Sequence, residues 1–280
     1  MSRQSRDKRR IAVFADGKRQ AKSDYLAGEE PLEIQLRAGG ETQTVAITMR
    51  TPGNDYELAA GFLFNEGIVA AKHDVGQMIY CVDGRLDLQE YNLLRVDLNF
   101  PRLPDLHHLD RHFFTTSACG VCGRTMLEHL ETRRLEPLTS GPAVSVGLLL
   151  SLPAKLRQAQ QLFASTGGLH AAALFDREGT LLQVREDVGR HNALDKLIGW
   201  GMLNGQLPFA GGIVLVSGRA SYELLQKCRV AAAPILCAVS APSTLAVDLA
   251  EHFGITLVGF LRESSFNVYS GSERIAWIDD

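Results

Sequence analysis

Residues 211–260 read GGIVLVSGRASYELLQKCRVAAAPILCAVSAPSTLAVDLAEHFGITLVGF. Three short apolar runs in this stretch have the length of buried strands: residues 212–216, 235–239 and 255–260. Segments with helical character separate them, near residues 222–231 and 244–252. Strands that alternate with helices in this way favour a mainly parallel sheet with helices on both faces. We therefore expect an α/β fold built around these residues.

The same alternation continues towards the N-terminus. Pro153 suits the first turn of a helix that ends near residues 165–168. Strand patterns at 170–175 and 181–184 follow, and then a helix over 190–200. The resulting order over residues 150–262, αββαβαβαβ, is similar to the cytidine deaminase fold. We predict a three-layer, cytidine-deaminase-like C-terminal domain over residues 142–280.

The first half of the chain predicts a smaller α+β domain over residues 31–137. Its expected elements are a hairpin with a Gly39-Gly40 turn, a helix capped by Asp55 and two further strands, at residues 32–37, 44–49, 56–64, 77–82 and 92–99. Residues 137–142, rich in Pro, Ser and Gly, are the candidate domain boundary. Residues 1–30 are highly charged and weakly periodic, which predicts a mobile N-terminal tail.

Composition limits the class of protein. The chain has 280 residues, of which 45% are hydrophobic and 22% charged, so it is globular rather than disordered. A net charge of −3 provides no global attraction to nucleic acid or to a membrane surface. The polar N-terminus lacks the apolar run of a signal peptide, which predicts a cytoplasmic protein. Five cysteines are too few for a disulfide framework, so reduced thiols are expected.

Two of these cysteines, Cys119 and Cys122, stand three positions apart in the segment SACGVCGR, residues 117–124. Such a pair can hold half a metal site, cycle as a redox disulfide or present a thiolate that accepts sulfur. Nearby histidines keep a zinc site open, although they form no second spaced ligand pair: His107, His108, His112 and His129. A thioredoxin-like redox site would need a strand directly before the cysteine pair, and the sequence predicts none there.

The remaining interpretation of the pair is a nucleophile. Gly120 and Gly123 leave both sulfur atoms accessible to a partner protein, and a helix expected after the cysteine loop, residues 115–124, would favour the thiolate. A thiolate can attack the terminal sulfur of another protein's persulfide and carry that sulfur away. Cys119 and Cys122 are therefore the candidate catalytic residues.

The C-terminal domain offers a candidate ligand pocket. A zinc deaminase needs a catalytic Glu close after its His ligand and a Pro-Cys-x-x-Cys segment at the next helix. No Glu follows His191 closely and the next helix starts without cysteines, so neither a hydrolytic metal nor zinc is expected. Glycines near two helix starts instead suit a phosphate group. The candidate contacts are Asp187, His191, Ser217 and Arg219, with the polar loop after residue 260 as a second wall.

Six segments in order resemble one family, the formate dehydrogenase accessory sulfurtransferases of the FdhD/NarQ family. They are CGVCG at 119–123, TGGLHAAA at 166–173, EDVGRHNALDK at 186–196, VSGRASYE at 216–223, AVSA at 238–241 and LVGF at 257–260. The resemblance runs from about Pro31 to Tyr269.

This resemblance implies a sulfur carrier between a cysteine desulfurase of the IscS type and formate dehydrogenase. The sulfur would travel as a persulfide on Cys119, with Cys122 assisting, to the molybdenum cofactor, bis-molybdopterin guanine dinucleotide. The family's guanine nucleotide loop maps to Phe260, Leu261, Arg262, Glu263, Ser264 and Ser265. GDP is then expected to bind as a partial mimic of the cofactor. A homodimer is also implied.

The sequence departs from the family pattern in one loop and leaves two alternative functions open. Relatives often carry Gly, Asp or Arg where this chain has Glu263-Ser264-Ser265, so Arg262 is the remaining cation of that loop. A chaperone that binds the cofactor or the apo-dehydrogenase without sulfur chemistry is one alternative. A nucleotide-processing hydrolase related to the deaminases is the other, and the missing Glu and Cys pair count against it.

Overall fold

The structure is a computed structural model that describes residues 5–81, 91–106 and 135–277. Its largest element is a six-stranded sheet with the order β9-β8-β10-β11-β12-β13. The strands are β8 (His170–Phe175), β9 (Leu181–Asp187), β10 (Ile213–Val216), β11 (Ile235–Ala238), β12 (Thr256–Gly259) and β13 (Asn267–Ser270). The mixed α/β fold is as predicted.

The sheet is mixed because antiparallel strands accompany a parallel centre. Strands β10, β11 and β12 pair in parallel, whereas β8 is antiparallel to both β9 and β10, and β13 is antiparallel to β12. Four strands, β9 to β12, therefore point in the same direction. Strand β13 was not predicted, because residues 261–267 were expected to form a polar loop with no strand after it.

Helices cover both faces of this sheet. They are α2 (Val146–Ala159), α3 (Gln161–Thr166), α4 (Arg190–Leu203), α5 (Tyr222–Val230) and α6 (Thr244–His252). Alternate strand residues face opposite layers: Val214 and Val216 pack with α4, α5 and α6, whereas Ile213 and Leu215 pack with α2. None of the helices in the described ranges combines the length and hydropathy of a membrane span.

One helix begins earlier than predicted. Helix α2 starts at Val146, and the Ser145 hydroxyl caps it by accepting a hydrogen bond from the Leu148 N–H at 3.2 Å. Pro153 lies inside the helix rather than in its first turn. The apolar residues before Pro153 extend the buried stripe of the helix, and this packing offsets the hydrogen bond that proline cannot donate.

The predicted N-terminal domain contains a four-stranded sheet with the order β4-β3-β6-β5. Its elements are β3 (Glu30–Ala38), β4 (Glu41–Arg50), α1 (Asp55–Asn65), β5 (Val75–Tyr80) and β6 (Leu93–Leu98), which confirms the predicted hairpin, helix and strands. Asp55, however, does not cap α1. Its buried carboxylate accepts hydrogen bonds from Arg50 Nη2 at 2.9 Å and from the Tyr80 hydroxyl at 2.9 Å.

Residues 6–27 have regular structure where the sequence predicts a mobile tail without strands. These residues form an antiparallel hairpin of β1 (Arg6–Ala15) and β2 (Lys18–Ala27). Asp16 and Gly17 connect the strands with φ values of 52° and 74°, as in a type I′ turn. Asp-Gly is a strong sequence signal for such a turn, but the surrounding charges obscured it.

The predicted boundary at residues 137–142 lies against the C-terminal domain. The Leu138 N–H donates to the Phe253 carbonyl at 2.8 Å, and Arg274 Nη2 donates to the Leu138 carbonyl at 2.9 Å. Just beyond it, β7 (Val144–Ser145) pairs in parallel with β14 (Ile275–Ala276). This segment is therefore bound to the C-terminal domain by backbone contacts.

Helices α1 and α4, which belong to the two predicted domains, are in backbone contact. A methyl group built at Gly61 would lie 1.9 Å from the Asp195 carbonyl oxygen, and one built at Gly199 would lie 1.8 Å from the Glu57 carbonyl oxygen. Only glycine permits such an approach. Beside the crossing, Arg185 Nη2 donates to Glu57 Oε1 at 2.7 Å.

We expect Gly61→Ala to lower the free energy of unfolding by about 1–3 kcal/mol, because the added methyl group must push α1 and α4 apart. Urea unfolding of the full chain would measure this. Gly147→Ala is the matched control, since Gly147 lies in α2 with open space around it. Equal stability of the Gly61→Ala variant and the wild type would contradict the role of the crossing.

Candidate functional site

The carboxyl ends of β9, β10, β11 and β12 lie at the same edge of the sheet. Hydrogen bonds join the loops that follow three of these strands. The Ser240 N–H donates to the Gly218 carbonyl at 3.3 Å, and the Phe260 N–H donates to the Ser240 carbonyl at 3.2 Å. The loop after β11 thus links the loop at residues 217–221 to the loop that begins at Phe260.

Three helices begin at this edge, directly after these strands. Helix α4 starts after Gly189, α5 after Ser221 and α6 after Ser243. Only Ser243 caps its helix through a side chain, whereas no side-chain cap is present at α4 or α5. Free N–H groups and the helix dipole make such N-termini favourable for anions.

A cluster of basic side chains borders the start of α4. A methyl group built at Gly218 would lie 3.2 Å from His170 Nδ1 and 3.9 Å from Arg190 Cδ, so both side chains lie against this loop. The Arg190 Nε atom is buried and donates no hydrogen bond to another described residue. Burial, with the nearby Arg190 and His191, lowers the pKa of His170, so its ring stays neutral at pH 7.

His170 lies at this edge and was missed by sequence reasoning, whereas Arg190 belongs to the polar turn around His191 that the sequence already singles out. Both lie in segments that carry the family resemblance, TGGLHAAA and EDVGRHNALDK. His170 is the first residue of β8, and its strand runs opposite to β10. Its place at the carboxyl edge of β10 therefore depends on strand pairing between distant segments.

His191 lies at the same edge and contacts α5. Its Nε2 atom makes a short contact with the Glu223 carboxylate and lies 3.4 Å from the Ser221 hydroxyl oxygen. The hydrogen bond with His191 lowers the pKa of Glu223 below its usual range. This pair fixes the start of α5 against the start of α4.

Asp187, predicted as a ligand contact, has protein partners for its carboxylate in this structure. Its carboxylate is fully buried and lies 2.7 Å from Lys196 Nζ. It also accepts hydrogen bonds from the N–H groups of Thr51 at 3.1 Å and Gly189 at 2.8 Å. Because a buried charge needs such partners, Asp187 positions the start of α4.

Ser217 and Leu261 are also engaged in structure. The Ser217 hydroxyl accepts a hydrogen bond from the Ala171 N–H at 2.8 Å and so ties its loop to β8. Leu261 is fully buried among the residues on the α2 side of the sheet, so its side chain cannot contact a ligand. Its N–H donates to the Ala238 carbonyl at 3.0 Å. Leu261 therefore anchors the loop it belongs to.

The remaining residues of the predicted loop reach the surface. Phe260 has a φ of 50° and 42% of its surface exposed, and Glu263, Ser264 and Ser265 are exposed as well. Arg262 is exposed but partly engaged, since its Nη1 donates to the Leu261 carbonyl at 3.0 Å. Arg219 is exposed and has no hydrogen bond or ion pair with another described residue. Arg219 and Arg190 are thus the cations available to an anion at this edge.

The predicted catalytic residues, Cys119 and Cys122, lie outside the described residues, as do the cysteine loop and its neighbouring histidines. Among the described cysteines, Cys228 and Cys237 are fully buried. Burial raises the pKa of the Cys228 thiol to about 12 and raises that of Cys237 as well. Both thiols are therefore poor nucleophiles. Within the described ranges, no group of three His, Cys, Asp or Glu side chains could hold a metal.

A family model and the named relatives of this chain agree on one family. The family model of the FdhD/NarQ family matches residues 27–276. A protein from Streptomyces coelicolor named Sulfur carrier protein FdhD is 49% identical, over 96% of this chain and 95% of its own length. A protein of the same name from Mycolicibacterium paratuberculosis is 50% identical, over 96% of this chain and 98% of its own.

A solved structure also resembles this fold. It is the crystal structure of a candidate formate dehydrogenase accessory protein from Desulfotalea psychrophila, with a TM-score of 0.74 and 24% identity. The likeness covers 97% of this chain and all of the other, and it supports the fold alone. With the family match over most of the chain and the two relatives at about half identity, the chain belongs to the FdhD/NarQ family.

Proposed function

We propose that the chain is a sulfur carrier that serves formate dehydrogenase. It accepts sulfur from a cysteine desulfurase of the IscS type as a persulfide and passes it to the molybdenum cofactor before the cofactor enters formate dehydrogenase. The observation that carries the proposal is the family match over residues 27–276; two arginines without described partners, Arg190 and Arg219, beside helix starts without side-chain caps support the binding of an anionic cofactor. The names of the relatives support the sulfur-carrying role.

Sulfur acceptance is assigned to Cys119, with Cys122 assisting. The Cys119 thiolate attacks the terminal sulfur of the donor persulfide; a new sulfur–sulfur bond forms, the old one breaks and the donor leaves as a thiolate. This exchange needs no external oxidant or reductant. Cys228 and Cys237 are unsuited to it, because their thiols are buried and their pKa values are raised.

Cofactor binding is assigned to the carboxyl edge of the sheet. The cofactor is bis-molybdopterin guanine dinucleotide, a polyanion with phosphate groups and guanine rings. Arg190 and Arg219 can donate charge-assisted hydrogen bonds to phosphate, and the N–H groups at the starts of α4 and α5 can add to them. The exposed Phe260 ring offers an aromatic face to a base. Ser264 and Ser265 contribute hydroxyl groups in place of charges.

The proposed partners follow from the same role. They are the cysteine desulfurase, formate dehydrogenase and a second copy of this chain in a homodimer. The proposed location is the cytoplasm, where these steps occur before enzyme assembly. Neither nucleic acid nor a membrane takes part in the proposed relay.

We expect Cys119→Ala to abolish sulfur loading and the delivery of active formate dehydrogenase, and Cys122→Ala to impair delivery. After incubation with the desulfurase and cysteine, mass spectrometry should find one added sulfur atom on the peptide that contains Cys119. Cys81→Ala is the matched control, because Cys81 is only partly buried and is the described thiol most able to compete.

A Cys119→Ala, Cys122→Ala double variant that restores full formate dehydrogenase activity in a null strain would refute the sulfur relay. No added sulfur on the wild-type chain, with formate dehydrogenase still activated, would favour a chaperone that binds the cofactor without sulfur chemistry.

We expect Arg190→Ala and Arg219→Ala each to weaken GDP binding about 10- to 100-fold, because each removes a charge-assisted hydrogen bond to phosphate. Sulfur loading should be retained in both variants. Isothermal titration calorimetry with GDP would measure the affinity.

Arg177→Ala is the control for these variants. Arg177 is an exposed arginine in the turn between β8 and β9, at the opposite edge of the sheet. Unchanged GDP affinity in the Arg190→Ala and Arg219→Ala variants would exclude this edge as the phosphate site.

A further inference from the structure

The β1–β2 hairpin is exposed along nearly its whole length. Phe14 has 76% of its surface exposed, Leu26 47% and Tyr25 38%. The hairpin meets the rest of the chain near its base, where β2 contacts α3 and Ala27 lies close to Gly168. An isolated two-stranded hairpin is at best marginally stable in water. A surface of this kind is therefore suited to binding a partner.

The two faces of the hairpin differ in charge. Residues directly opposite in an antiparallel pair share a face, and the register pairs Lys8 with Tyr25 and Phe14 with Arg19. One face, called here the cationic face, carries four cations, two aromatic rings and no carboxylate: Arg6, Lys8, Arg10, Arg19, Phe14 and Tyr25. The opposite face mixes both signs: Asp7, Arg9, Lys18, Lys22 and Asp24.

Cation–π contacts organise part of the cationic face. The Arg6 guanidinium lies 4.7 Å from the centre of the Tyr25 ring, and the Lys8 ammonium lies 5.9 Å from it. These side chains have no carboxylate to pair with on their own face. Their charge therefore remains available to a partner.

The rest of the chain has the complementary charge. Residues 1–27 contain eight Lys or Arg and three Asp, which gives a net charge of +5. The other 253 residues contain 21 Lys or Arg and 29 Asp or Glu, which gives −8. Several exposed carboxylates there form no side-chain hydrogen bond or ion pair within the described residues: Glu41, Asp248, Glu251 and Glu263. The other 253 residues, called here the body, are therefore opposite in net charge to the hairpin and can attract it.

Charge also limits how two copies can meet. If the hairpins of two copies paired edge to edge, the cations of their cationic faces would lie side by side, which is unfavourable. A hairpin laid on the acidic body of the other copy avoids this repulsion. Two such contacts related by a twofold axis are equivalent and close the dimer.

We propose that the β1–β2 hairpin is an arm that binds the acidic body of a second copy of this chain through its cationic face. This inference deepens the homodimer named under the proposed function and rests on it. The arm contributes association and not chemistry, so its loss leaves sulfur loading of the isolated chain intact. Sulfur loading and self-association can therefore fail independently.

The test compares two full-length variants with equal changes in net charge. Lys8→Glu, Arg10→Glu, Arg19→Glu reverses the cationic face, whereas Arg9→Glu, Lys18→Glu, Lys22→Glu reverses the opposite face of the same hairpin. Sedimentation equilibrium should show that the first variant dimerises about 100-fold more weakly than the wild type, and the second within about threefold of it. Dimerisation of the wild type should weaken as salt is added.

A neutral variant keeps the test valid if charge reversal unfolds the hairpin: Lys8→Gln, Arg10→Gln, Arg19→Gln. We expect this variant to dimerise about tenfold more weakly than the wild type. The proposal is overturned if the wild type is a monomer, if both charge reversals weaken the dimer equally, or if neither does. It is also overturned if the cationic face binds a single-stranded oligonucleotide while its reversal leaves dimerisation unchanged.

Discussion

The close approach of α1 and α4 is the contact on which the arrangement of this protein depends. Gly61 and Gly199 let the two backbones touch, which places the N-terminal domain directly on a helix of the C-terminal sheet. The same helix carries Asp195, which accepts hydrogen bonds from Asn65 of α1 and Lys227 of α5, each at 2.7 Å. Since α4 begins at the candidate site, the domain contact and the site share one structural element.

Buried charged residues at the candidate site hold its structural elements in place, whereas other charged residues there have groups that could bind an anion. Asp187 and Lys196 form a fully buried pair that holds Thr51 of the N-terminal domain next to the start of α4. Removing one partner of such a pair leaves an uncompensated charge, so its role is structural. Arg190 and Arg219, by contrast, have groups without protein partners at the same edge. Selective anion binding is consistent with this division.

Local patterns predicted most elements, and the misses have physical causes. Apolar strands such as Ile213–Val216 are recognisable because burial on both faces requires a continuous apolar run. Asp55 looked like a helix cap, but Arg50 and Tyr80 compete for its carboxylate across the fold. Strand β13 escaped prediction because its neighbour β12 supplies the pairing that its polar sequence does not suggest. The β1–β2 hairpin was not predicted, because its many charged residues were interpreted as a mobile tail.

Residue type and spacing along the chain are enough to predict the alternation of strands and helices, the family and the two candidate thiols. Which polar residues are free to bind is known only once their neighbours in the fold are known. In the structure Asp187 and Leu261 are buried, whereas His170 and Arg190 lie at the candidate site. Burial and hydrogen bonding depend on neighbours from distant segments, and sequence spacing does not specify those neighbours.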